Sequence, residues 1–179
     1  MSTPEVMSPD QARVFATKIA FDRLAERDRS TLELQQALEK RRVPAEVIAV
    51  VLAQLQQQGL LDDERFACAW VDQRQRGKGL ARSALARELK VKGISDITIA
   101  VALDSIDTDA ERTKAHELVR KRMRSVSRLE PSVQKRRLTA FLMRKGYPAH
   151  VSFDVVTQEL NSDVNSDQHG FGNEIAEAP

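Results

Sequence analysis

Few residues in this 179-residue chain stand at the spacings that catalysis or metal binding requires. Asp62, Asp63 and Glu64 make a run of acids that could hold a divalent cation. The same run suits the first turn of a helix, where negative side chains complement the positive end of the backbone dipole, and that structural role is the simpler one. Gly77-Lys78-Gly79 sets a lysine between glycines. It lacks the spacing of a phosphate-cradling loop and follows a helical pattern, not a strand, so it reads as a helix end and a turn. His116, His150 and His169 fall in mid-helix, at a helix start and in the C-terminal segment, and none has a histidine or cysteine partner at ligand spacing. Cys68 is the single cysteine, so neither an internal disulfide nor a thiolate cluster can form. Between Ala67 and Ala69 it is expected to pack as a small apolar side chain. No serine occupies a strand–turn–helix elbow. The expectation is a protein that is not an enzyme, with no metal, no cofactor and no small-molecule substrate.

The basic residues carry more information. Residues 1–58 hold 8 basic and 8 acidic side chains, and residues 59–107 again hold 8 and 8. Residues 108–160 hold 12 basic against 6 acidic, and residues 161–179 hold 4 acids with no Lys or Arg. Arg120, Lys121, Arg122, Arg124 and Arg128 crowd one helical segment; Lys135, Arg136 and Arg137 follow on the next, with Arg144 and Lys145 at its end. A local surplus of this kind, unbalanced by acids one turn away, suggests a contact surface for DNA or for an acidic protein groove. A solvated helical face is the plain alternative. A second basic group, Arg74, Arg76, Lys78 and Arg82, is the next place to look for contacts. Phe141 sits at core spacing, and no aromatic is expected on the surface among these charges, which argues against a stacking platform for single strands. The acidic end, Asp163, Asp167, Glu174 and Glu177, suggests that the basic part attracts an anionic partner, the end itself, or both.

Helices must position these residues. Ala, Leu, Arg, Gln, Glu and Lys dominate, aromatic residues make up only 4%, and β-branched runs are scarce. Three stretches align: Leu34 to Leu38 with Val43, Leu85 to Leu89 with Ile94, and Leu138 to Leu142 with Tyr147. The offsets are 51 and 53 residues, and an apolar side chain stands five positions after each second leucine. The spacing predicts an all-α fold of three tandem three-helix repeats over residues 10–58, 59–107 and 108–160. Stacking of such small units points to an elongated, curved array. Residues 1–9 and 161–179 are expected to be unstructured. Ser30 with Glu33, and Thr108 with Glu111, have the form of capping boxes. Pro44, Pro131 and Pro148 suit helix starts, and Gly93 and Gly146 suit helix ends. No apolar run approaches the roughly 18 residues needed to cross a membrane, and no apolar secretory core opens the chain. A cytoplasmic location is expected.

The stretch Gly59-Leu60-Leu61-Asp62-Asp63-Glu64-Arg65-Phe66-Ala67, continuing through Trp70-Val71, Arg74, Gly77, Gly79 and Arg82, resembles the RecX family. So do Glu88-Leu89 with Lys92-Gly93-Ile94, and Ser30, Glu33-Leu34 and Leu38 are similar to that family's first repeat. The resemblance covers about residues 12–160 and is most specific at 59–79. It implies tandem three-helix repeats, no catalytic activity, and binding to the RecA–DNA filament, usually restraining it, in DNA repair, recombination and the SOS response. Lys40-Arg41-Arg42 departs from the pattern, which has a lysine–glycine end there. Helix-turn-helix-like modules that bind duplex DNA directly are the alternative, although the expected third helices are nearly all apolar and offer few base-reading side chains.

Overall fold

The six leucines that mark the repeats, Leu34, Leu38, Leu85, Leu89, Leu138 and Leu142, are all wholly buried, and Val43, Ile94 and Tyr147 join them. Helical spacing puts each pair on one face of a second helix, and the fold closes over that face. In the computed structural model the described residues run from 7 to 168, with side chains to 162. Among them are nine helices: α1 Pro9–Glu26, α2 Thr31–Glu39, α3 Ala45–Gln57, α4 Asp63–Lys78, α5 Arg82–Val91, α6 Asp96–Asp104, α7 Thr108–Met123, α8 Pro131–Arg144 and α9 Ala149–Gln168. None is long and apolar enough to cross a membrane.

Helix ends follow local chemistry, with some departures from expectation. Ser30 and Glu33 form the expected capping box at α2. A second box, Ser8 with Gln11, starts α1 at Pro9, inside the segment expected to be unstructured. At α7 the cap is Asp107, not Thr108; its carboxylate takes the N–H groups of Asp109 and Ala110. Pro131 opens α8 at the first helical position, whereas Pro44 stands one residue before α3. The helix α9 continues past Leu160 to Gln168, so the first part of the expected tail is helical; residues 169–179 lie outside the described residues. Cys68 is exposed, contrary to expectation, because Phe66, Ala67 and Val71 set the buried face of α4 and leave Cys68 on the other side.

Compact packing and sequence repetition divide the chain differently. One unit comprises Met1–Gln73 with Ala86–Ser105, the other Arg74–Leu85 with Ile106–Pro179, so the boundary passes through α4 and α5. The first unit packs Ala16, Ala20, Leu34, Leu38, Val51 and Leu55 into one core. The second is built on Ala81, Ala115, Val119, Leu138, Leu142, Tyr147, Val155 and Val156.

A matching junction occurs inside each unit. In the first, Ser30 Oγ donates to the Lys92 carbonyl at 2.7 Å, and Asp63 Oδ1 accepts from the Thr31 N–H at 2.8 Å. In the second, Ser83 Oγ donates to the Gly146 carbonyl at 2.6 Å, and Glu111 Oε1 accepts from the Arg82 N–H at 2.8 Å. Orphan N–H groups at one helix start and orphan carbonyls at another helix end are thereby satisfied together. Asp62, for its part, accepts from the N–H groups of Glu64 and Arg65. The acidic run is thus engaged in capping two helices. Arg42 occupies the left-handed conformation, φ 58°, at the position aligned with Gly93 and Gly146. The departure from the family pattern therefore keeps the glycine-like backbone at a cost of roughly 1–2 kcal/mol.

Glu33 is the electrostatic centre of the first junction. It takes a bidentate pair of hydrogen bonds from Arg27 and another from the Lys92 ammonium, which also lies 4.7 Å from the Trp70 ring centroid. Burial alone would raise this carboxyl, but hydrogen bonds from Arg27 and Lys92 outweigh it and bring it to about 2 from an ordinary 4.5. A carboxyl depressed on folding stabilises the fold above its unfolded value and loses that contribution as pH falls through its folded one. Glu33→Gln keeps the capping geometry and removes the charge. We expect it to cost about 1–2 kcal/mol near neutral pH, after allowance for solvent screening at a half-buried site. Urea denaturation at a series of pH values should show the gap to the parent closing between pH 4.5 and 2. A gap that does not change with pH would mean that the charge of Glu33 contributes nothing.

Candidate anion-binding groove

The end of α4 and the turn after it are held against the end of α8. The Ala81 N–H donates to the Lys145 carbonyl at 2.9 Å, Tyr147 Oη donates to the Gly79 carbonyl at 3.3 Å, and the Lys145 ammonium donates to the carbonyl of Lys78. The last bond supplies a positive group to a helix C-terminus, where the backbone dipole is negative. Burial first, then repulsion from Lys78, lowers the Lys145 pKa. Burial, reinforced by the charges of Glu111 and Glu117, raises that of the Tyr147 phenol.

This clamp places Arg76 and Lys78 on the rim of a groove of about 730 Å³, opposite Lys114, Lys121 and Arg122 of α7. Leu80, Leu118 and Phe141 supply its apolar wall. Among the lining residues the one carboxylate is Glu117, which pairs with Lys114 at 2.8 Å. A second depression, about 520 Å³, shares Arg122, Ser125 and Phe141 with the first and adds Arg136, Arg137 and Arg144. The two form one basic surface with Phe141 at the joint. Arg122 and Lys145 lie 5.7 and 5.3 Å from the Phe141 ring centroid, so the half-buried ring holds two of the cations in place.

The expected contact residues are distributed unevenly over this surface. Arg76, Lys78, Lys121 and Lys145 come together in the first groove, and Arg136 and Arg137 in its neighbour. Arg124 lines a separate depression with Arg120. Arg120 is engaged elsewhere, since its Nε donates at 2.8 Å to Oε2 of the buried Glu159, whose Oε1 lies 2.6 Å from His116 Nδ1. Burial would raise the Glu159 carboxyl, but Arg120 and His116 outweigh it and lower its pKa. Arg82 is spent on the Ile106 carbonyl, and Arg74 is half-buried outside the groove lining. Lys135 lies 4.0 Å from the Phe153 ring centroid, and Arg128 is exposed away from the groove. Phe153 is itself 52% exposed, so the surface does carry an aromatic. Sequence reading missed Lys114 as a groove residue and the joining of the 76–78 and 121–122 segments.

Residues 62–103 match the model of the RecX second three-helix domain, and residues 109–156 match that of the third. A regulatory protein RecX of Amycolatopsis mediterranei is 39% identical over 88% of this chain and 90% of its own length. That of Mycolicibacterium vanbaalenii is 41% identical over 84% and 83%. The chain belongs to the RecX family. The crystal structure of RecX from Lactobacillus salivarius superposes with a TM-score of 0.75 over 86% of this chain at 19% identity, which shows a shared RecX fold. The all-helical tandem-repeat architecture is thus supported by the matching three-helix domains and the solved RecX structure.

Proposed function

We propose that this chain is a non-enzymatic regulator that binds the RecA–DNA filament and restrains its ATPase and strand-exchange activities in recombinational repair and the SOS response, within the cytoplasm. Membership of the RecX family over nearly nine-tenths of the chain carries the reading, since relatives of that coverage are named regulatory proteins. The basic groove supports it independently. Its cations have one carboxylate among them, and such a surface gains by meeting DNA phosphates or acidic protein side chains. The groove lining offers a single hydroxyl, Ser125, and no histidine, which is chemistry for binding and not for turnover. Direct readout of duplex DNA is less well supported: the exposed positions of α3 and α6 include Val50, Ile97 and Val101, which cannot hydrogen-bond to base edges.

Titration into a RecA reaction tests the proposal. DNA-dependent ATP hydrolysis and strand exchange should fall at substoichiometric to equimolar ratios. At physiological salt, binding to RecA-coated single strands should exceed binding to bare duplex. Activities unchanged over a wide range of ratios would remove the proposal, and a preference for bare duplex would favour the direct DNA reader.

A further inference from the structure

We propose that the acidic segment 163–179 acts as an internal competitor for the basic groove, lowering its affinity for an anionic partner. The proposal rests on the reading of the groove as the anion-binding surface. Within the second compact unit, residues 74–85 and 106–162 hold sixteen Lys or Arg against seven Asp or Glu. Two of those acids are already committed, Glu117 to Lys114 and Glu159 to Arg120 and His116. Residues 163–179 hold Asp163, Asp167, Glu174 and Glu177 with no Lys or Arg. The last described side chains of α9, Glu159 and Ser162, line a depression with Arg120 and Arg124 that is separate from the groove but belongs to the same compact unit.

The chain has the length to reach further. From Gln168, where α9 ends, eleven residues remain, and they span at most roughly 40 Å when extended. A tethered segment has an effective concentration on the order of millimolar, so a weak attraction is enough to compete. Screening bounds the effect, because exposed charges further apart than about 8 Å interact little at physiological salt.

The test uses the full chain with Asp163→Asn, Asp167→Asn, Glu174→Gln and Glu177→Gln, and as a second variant the chain ended after Ser162, which retains the buried Val155, Val156 and Glu159 of α9. Fluorescence anisotropy of a labelled oligothymidylate measures binding at about 50 mM and about 300 mM salt. Both variants should bind severalfold to about tenfold more tightly than the parent at low salt and converge with it at high salt. Adding Lys78→Gln, Lys121→Gln and Arg122→Gln should abolish that gain. Equal affinity of variants and parent at low salt, or weaker binding by the variants, overturns the proposal, as does a gain that survives the groove substitutions. If the groove substitutions weaken the parent while neutralising the segment does nothing, the competitor is rejected and the groove stands. If they leave the parent's binding intact, the groove reading itself is wrong.

Discussion

Gly146→Ala is expected to destabilise the protein by about 2–5 kcal/mol. Gly146 has φ 93°, in the left-handed region, and a Cβ there would lie 2.6 Å from the Ala84 backbone nitrogen. The conformational cost for a residue with a Cβ is roughly 1–2 kcal/mol. The overlap is with backbone at a junction where Ser83 Oγ already holds the Gly146 carbonyl, so it adds a strain of about 1–3 kcal/mol. The midpoint of thermal unfolding should fall by about 10 °C for a chain of this size. Gly59→Ala is the internal control: φ is 67° but nothing lies within 4 Å, so only the conformational cost applies. Differential scanning calorimetry of the two variants separates the contributions. Equal losses in both would show that the close approach at Gly146 is not what requires glycine there.

Lys78→Gln, Lys121→Gln and Arg122→Gln together are expected to weaken filament binding about tenfold to a hundredfold while the chain stays folded. The three come from two helices and meet only in the groove, and all are exposed or half-exposed. If each opposes a DNA phosphate, the slope of log affinity against log salt should shrink by nearly one unit per charge removed, about two to three in all. If the partner groups are protein carboxylates, affinity should fall with a smaller and less regular change of slope. Arg128→Gln with Lys135→Gln removes basic residues outside the groove and should change binding little. Binding by the groove variant at the parent's strength, with an unchanged circular dichroism melt, would place the contact surface elsewhere. Arg120 is unsuitable for such a test, because its loss strips the buried Glu159 carboxylate of a charged partner. A fall in stability there would be mistaken for a fall in binding.

The helices and their repetition were legible in the sequence because both depend on near neighbours. A leucine pair four residues apart marks one helix face wherever it occurs. Ser30 with Glu33 closes a cap over three residues. The position five residues after each second leucine is apolar three times, and all three are buried. The motif at 59–79 was enough to indicate the family for the same reason, since much of it serves caps and a helix face: Asp62 at the start of α4, Asp63 at the start of α2, Phe66 and Val71 in the core.

The groove depended on pairings that no local pattern encodes. Lys145 and Lys78 are 67 residues apart, and the bond between them is what brings the α4 end into the surface of α7 and α8. Charge counting placed the surplus in residues 108–160 correctly but could not sort its members. Arg120 and Lys121 are adjacent in sequence, yet successive helical positions differ by about 100° in direction. One therefore holds buried Glu159 while the other faces the groove. Cys68 was misplaced, and an exposed aromatic such as Phe153 was not foreseen, for the same reason: composition gives a residue's taste for burial, and only the packing partners decide which side of a helix is covered. The sequence by itself determined helices, caps, repeats and family. Tertiary structure decided which charges are structural and which remain available, because an ion pair between distant residues forms only after the chain has closed around it.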